Sequence, residues 1–195
     1  FQSFQAISPK VCKPFDAARN GINLGEAAGT VVLSSNKKLD RGFQLLSGSV
    51  SNDANHISGP SRTGIELNMA ITKVMKDANL SAKEIDFISA HGTATIFNDE
   101  MEANAINLAN LQHVPVNSLK GYFGHTLGAA GIIESIISMQ SLKEDILLPT
   151  IGFQNIGVTM PINVCGSLYK ASLKNCLKTA SGFGGCNAAV ILNKQ

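Results

Sequence analysis

Ile85-Asp86-Phe87-Ile88-Ser89-Ala90-His91-Gly92-Thr93-Ala94-Thr95 is an apolar run that stops at a histidine followed by glycine and threonine. Residues 85–90 read as a buried strand whose carboxyl end delivers His91. Just upstream, Ser81 and Glu84 have the spacing of a capping box. Just downstream, residues 99–110 carry acid early and then Ala, Ile and Leu at helical spacing. That pattern suits a helix whose N-terminus faces the same loop as His91. Residues 114–118 read as the next strand, followed by Lys120 and then by Gly124-His125-Thr126-Leu127-Gly128-Ala129-Ala130-Gly131. An apolar helix is expected over about 128–142.

Further out, the β-branched run 30–34 and the apolar run 42–50 read as two strands separated by the polar turn 35–41. A loop rich in Ser, Asn, Gly and Pro covers 51–62. After it Ile65, Met69, Ile71, Val74 and Met75 recur at helical spacing up to Asn79. An extended segment is expected near 162–165, and a last strand over 188–193. Strands alternating with helices imply an α/β fold with a largely parallel, buried sheet whose ligand sites lie at the carboxyl ends of the strands. Gly128 and Gly131 each cost a helix roughly 1 kcal/mol relative to Ala, so a close contact is expected to compensate for them.

Composition narrows the function classes. A chain of 195 residues, 44% apolar and 15% charged, buries an ordinary core and forms one domain or one large half of a bigger fold. Its net charge of +2 is scattered without a basic stripe or aromatic ladder, which argues against nucleic acid. The apolar stretch 128–137 is interrupted by Glu134 and Ser135, short of the roughly 20 residues of a membrane helix. Phe1-Gln2-Ser3-Phe4-Gln5-Ala6 has no initiating Met, basic n-region or cleavage pattern, so no signal peptide is read and the chain is expected to begin mid-sequence. Cys12, Cys165, Cys176 and Cys186 form no CxxC, which favours a reducing cytoplasm over a disulfide scaffold or zinc site, and no metal is expected.

Small neighbours clear room around His91 and His125, so substrate atoms can approach both imidazoles. Taken singly, His91 is as readily a helix cap and His125 as readily a core residue; the pair together is harder to explain that way. Two imidazoles and the Lys120 ammonium, all following strands, can converge on one developing negative charge. A buried Lys120 needs a partner, and Glu134 on the following helix is the candidate. Glu102 is a second acidic candidate, equally compatible with an exposed helix position. Gly182-Phe183-Gly184-Gly185 suits a tight turn that aims backbone NH groups at an anion with Phe183 as a gate, but no helix with a Walker lysine follows it. Arg19 and Glu26 are a candidate structural pair. Cys186 runs straight into a β-like segment rather than a strand-to-helix elbow, which argues against a nucleophile. His56 and His113 lie in polar surroundings and read as solvent-facing.

Several blocks together resemble the C-terminal half of the β-ketoacyl-acyl carrier protein synthases, the condensing enzymes of the thiolase-like superfamily. The blocks are Pro14-Phe15-Asp16 through Gly21, Gly25-Glu26-Ala27-Ala28-Gly29, His91-Gly92-Thr93, the run from Lys120 to Gly131, and Gly182-Phe183-Gly184-Gly185-Cys186-Asn187. The resemblance implies the C-terminal half of a layered αβαβα fold, with a mixed sheet flanked by helices. Residues 1–28 would connect from an N-terminal half and 29–195 would form the ketoacyl synthase C-terminal domain. It implies a decarboxylative Claisen condensation of malonyl-carrier with an acyl-enzyme thioester, in fatty acid or polyketide synthesis. The nucleophilic cysteine would lie upstream of residue 1, and the fragment alone would be inactive.

By resemblance, His91 and His125 hydrogen-bond the malonyl thioester carbonyl and Lys120, paired to Glu134, fixes the site electrostatically with Glu102 in support. Thr93 and Thr95 contact the carrier's phosphopantetheine arm, together with Gly182 and Gly184. The Phe183 NH is half of an oxyanion hole. No bound cofactor is implied beyond that phosphopantetheine. The implied partners are acyl carrier protein, the N-terminal half and a second subunit, as a homodimer or heterodimer in the cytoplasm. Two departures, Cys186 for the usual Thr and Thr179-Ala180-Ser181 for Asn-Ser-Phe, bear on the acyl pocket. The competing expectation is a non-catalytic partner of the chain-length-factor kind; a degradative thiolase is a third, since Cys186 lies near that enzyme's cysteine base.

Overall fold

The computed structural model describes residues 6–195. Phe1 to Gln5, where no leader sequence is read, lie outside the described residues. The frame is a six-stranded sheet in the order β1 (Phe43–Asn52), β8 (Cys186–Lys194), β7 (Asn175–Gly182), β2 (Phe87–Ser89), β3 (Pro115–Asn117) and β5 (Asn163–Val164). The β1, β8 and β7 neighbours are antiparallel, while β7, β2, β3 and β5 run parallel. The sheet is therefore mixed, as the family resemblance implies, rather than largely parallel as strand–helix alternation alone suggests. A separate two-stranded ribbon pairs β4 (Ile146–Leu147) with β6 (Tyr169–Lys170).

Strand alternation sends side chains to two cores. Ile88, Leu177 and Ile191 face one side, where α1 (Ile65–Asp77) and α2 (Ile96–Leu108) bury Leu67, Ile71, Val74, Met101 and Ile106. Phe87, Cys176 and Leu192 face the other, against Leu142 of α4 (Ala130–Glu144) and Leu147. Each such large apolar side chain contributes about 1.5–3 kcal/mol on burial. The parallel strands β2, β3 and β7 all end at one edge of the sheet, and the segments that leave there carry His91, Lys120 and the turn at Gly182.

Several expectations are corrected. Residues 30–34 form no strand: Val32 is 84% exposed and no strand among the described residues pairs with the run. Helix α2 begins at Ile96, three residues before Asp99, with extended Thr95 at its N-cap. A four-residue helix, α3 (Lys120–Phe123), intervenes before His125, and helix α4 begins only at Ala130, after a 3-10 turn at Leu127–Ala129. No close contact compensates Gly128 or Gly131, since a Cβ built on either meets nothing within 4 Å. Arg19 turns away from Glu26 and pairs with Glu100 at 3.1 Å and Asp99 at 3.8 Å, because its segment lies along the start of α2.

Candidate active site

The end of β2 is built around Glu102. This carboxylate, wholly buried on α2, accepts hydrogen bonds from His91 N (2.8 Å), Gly92 N (2.5 Å), Asn98 Nδ2 (2.9 Å) and Thr179 Oγ1 (3.1 Å). It thereby fixes the backbone that presents His91. Its neighbour Asp99 accepts from Phe15 N at 2.7 Å and Ala94 N at 3.2 Å, and burial pushes its carboxyl up to about 7. Gly92 has φ +45°, and a Cβ there would sit 2.5 Å from Ser118 Cβ, so the loop closes tightly onto the end of β3. The Ser118 hydroxyl completes that closure by donating to Gly92 O at 2.7 Å.

His125 is carried to the same place by a different device. Its backbone N donates to Asn23 O at 2.6 Å and its carbonyl accepts from Gly25 N at 3.1 Å, pinning the loop to the segment 23–25. Gly124, at φ +71°, permits this approach, because a Cβ would lie 2.9 Å from Gly25 N. The glycine-rich block at 25–29 thus has a structural purpose at its first residue.

The two rings meet with centroids 5.0 Å apart and planes at 82°. His125 Nδ1 accepts from Leu127 N at 3.1 Å. His91 Nδ1 lies 3.3 Å from Lys120 Nζ, which has protons to donate and no lone pair to accept. Each ring therefore has its Nδ1 occupied as an acceptor and carries its proton on Nε2. Burial first, then Lys120, His125 and Lys178, holds His91 well below the usual imidazole value. Burial first, then Lys120, brings His125 down to about 4. Both are neutral Nε2–H donors at physiological pH.

Lys120 is 1% exposed. It pairs with Glu134 Oε1 at 2.7 Å and also donates to His91 O. Burial lowers its proton affinity and Glu134 opposes that shift. A lysine that sequence reasoning missed, Lys178 on β7, lies 2.6 Å from Glu134 Oε2. Burial pushes the Glu134 carboxyl up, but Lys178 and Lys120 outweigh it and hold the group below its usual range.

The remaining predicted residues lie on the segments that follow β2 and β7. Thr93 and Thr95 follow His91, with their hydroxyls 2.8 Å apart. Gly182 ends β7, paired with Cys186, and Phe183, Gly184 and Gly185 form the turn of the β7–β8 hairpin at the same end of the sheet. Phe183 is exposed, and Gly184 N donates to Ile57 O at 2.7 Å, so the Gly184 NH is already engaged. Cys186 is exposed at the start of β8, and the exposed His56 organises its own loop by accepting from Ser58 N and Gly59 N at 3.2 Å each. Among the described residues no group of three or more His, Cys, Asp or Glu is placed to hold a metal, and no helix is long and apolar enough to cross a membrane.

Fold and site together define an α/β unit that gathers two neutral imidazoles and a buried ammonium at the ends of parallel strands, a constellation suited to charge developing on a carbonyl oxygen. Residues 44–154 match the family model described as beta-ketoacyl synthase, C-terminal domain. The chain belongs to this family. It is 34% identical over 194 residues to 3-oxoacyl-[acyl-carrier-protein] synthase 2 of Rhizobium meliloti (strain 1021), covering 95% of this chain and 46% of that protein. It is 32% identical over 195 residues to the synthase 2 of Vibrio harveyi, covering 95% of this chain and 47% of that one. Among solved structures, the ishigamide ketosynthase/chain length factor superposes with a TM-score of 0.93 at 33% identity, over 100% of this chain and 50% of that one. The chain thus spans about half the length of the curated relatives it matches.

Proposed function

We propose that this chain is the C-terminal half of a 3-oxoacyl-acyl carrier protein synthase and supplies its decarboxylation residues. The observation that carries the reading is the meeting of two imidazoles with ring centroids 5.0 Å apart, one of them buttressed by Lys120. The malonyl thioester carbonyl oxygen sits between the two N–H donors. The bond between the α-carbon and the carboxylate carbon breaks, carbon dioxide leaves, and the electron pair becomes an enolate whose oxygen charge both donors stabilise. That enolate carbon attacks the acyl thioester carbonyl, and the cysteine thiolate, contributed by the N-terminal half, leaves. The Phe183 NH serves that acyl carbonyl as an oxyanion donor.

The phosphopantetheine arm of acyl carrier protein is the substrate carrier, and the paired Thr93 and Thr95 hydroxyls suit its amides. Residues 1–28 bring the chain from the N-terminal half into the domain at 29–195. The complete protein pairs as a homodimer or heterodimer, a reading supported by the solved ketosynthase/chain length factor relative. Four free cysteines favour the cytoplasm. The same relative also motivates the non-catalytic partner reading, but a retained histidine pair with fixed tautomers favours catalysis. The test is to give the full-length protein acyl-carrier and malonyl-carrier. Carbon dioxide release with a 3-oxoacyl product supports the synthase, and neither product in a folded protein rejects it.

A further inference from the structure

Lys178 stands in the middle of a central strand, 3% exposed, where a methionine fills the same volume without burying a charge. Its ammonium lies 2.5 Å from Thr179 O of its own strand, and 3.2 Å from Ser89 O and 3.4 Å from Ala90 O at the end of β2 just before His91. Its charged partner is Glu134 Oε2 at 2.6 Å, while Lys120 takes Oε1 of the same carboxylate at 2.7 Å. Glu134 is itself 3% exposed, so one buried carboxylate serves two buried ammonium groups.

We propose that Lys178 is a positioning residue of the site: by holding Glu134 Oε2 it divides that carboxylate between two cations and leaves Lys120 free to turn its remaining donors onto His91. This inference rests on the decarboxylative reading above. The triad carries one surplus positive charge. The groups that face the imidazoles are Lys120 from α3, Glu134 from α4, Lys178 from β7 and Glu102 from α2, the last engaged by four donors of its own. Lys178 acts on both rings, lowering the proton affinity of His91 after burial, Lys120 and His125, and of His125 after burial and Lys120, where Glu134 opposes it. With burial as the larger cause, the surplus charge helps keep each Nδ1 unprotonated and available to Lys120 Nζ and Leu127 N, with the proton on each Nε2.

The experiment uses the full-length protein with Lys178→Met, which removes charge and donors, and Lys178→Gln, which removes charge but keeps an NH donor for the β2 carbonyls. The readouts are the NMR titration of the His125 ring and the acid limb of carbon dioxide release against pH. Loss of this cation moves the His125 midpoint upward in both variants, and the acid limb moves up with it. An unchanged midpoint in the folded Gln variant, or a shift in the Met variant alone, overturns the proposal in favour of a packing role. If the Met variant does not fold, the Gln variant carries the reading. A wild-type protein that releases no carbon dioxide refutes the synthase reading, while the His125 midpoint still decides the role of Lys178.

Discussion

His91 and His125 meet edge to face, with ring centroids 5.0 Å apart and planes at 82°, although they arrive on separate loops. Each loop is fixed by its own device: Glu102 holds the amides of His91 and Gly92, and the segment 23–25 brackets the backbone of His125. Backbone contacts place the two loops, and Lys120 Nζ and Leu127 N then engage the Nδ1 of each ring. Among the described residues no hydrogen bond engages either Nε2.

The pH dependence follows from the direction of the histidine shifts. A lowered proton affinity means the neutral ring survives to lower pH, so Nδ1 keeps accepting from Leu127 N until His125 protonates near about 4. Carbon dioxide release from malonyl-carrier by the full-length protein is expected to hold through pH 6.5, the ordinary imidazole value, and to fall only well below it. The pH profile of single-turnover decarboxylation measures this.

Removing the shared carboxylate is expected to cost far more than removing one of its cations. Glu134→Ala strands two buried ammonium groups and should lower stability by about 3–5 kcal/mol. Lys120→Met leaves Glu134 paired with Lys178 and should lower stability by less than about half as much, while decarboxylation falls at least ~100-fold. Denaturant unfolding of the two full-length variants, with a decarboxylation assay, checks both halves of the contrast.

Glu102→Ala should rank among the most destabilising changes at the site. It leaves His91 N, Gly92 N, Asn98 Nδ2 and Thr179 Oγ1 without their acceptor, a loss of about 3–5 kcal/mol. Glu102→Gln keeps one acceptor oxygen and should lose about 1–2 kcal/mol. Thermal and denaturant unfolding should place the variants in that order.

Gly92→Ala is expected to disturb chemistry and stability together. Its φ of +45° disfavours any Cβ, and that atom would press on Ser118 Cβ at 2.5 Å and on Phe15 Cε2 at 3.0 Å. The cost is about 2–4 kcal/mol, with His91 displaced as the loop shifts. Unfolding and decarboxylation measured on the same preparation check this.

The sequence made the helical and apolar signals legible and hid the compensated polar ones. Helix α1 was readable because Ile71, Val74 and Met75 recur at its period, and β2 because Phe87 and Ile88 are apolar on both faces. The run 30–34 has strand composition without a pairing partner, which no local pattern reveals. Strand β7 was missed for the opposite reason: Asn175 and Lys178 are polar yet buried, and Lys178 owes its burial to Glu134, distant in sequence. A lone lysine amid Cys176, Leu177 and Thr179 was the available signal. The His91, His125, Lys120 and Glu134 group was legible because glycine and threonine surround the histidines. Asp99 was visible only as an acid near the start of a helix, and its contact with Phe15 N is a tertiary one.

The central claim is that the two imidazoles hold the charge released when carbon dioxide leaves the malonyl thioester. The measurement is malonyl decarboxylation beside acyl transfer to the cysteine, in the full-length protein carrying His125→Ala. Decarboxylation lost by at least ~100-fold with acyl transfer largely intact is the predicted result. Decarboxylation at the wild-type rate in that variant contradicts the account.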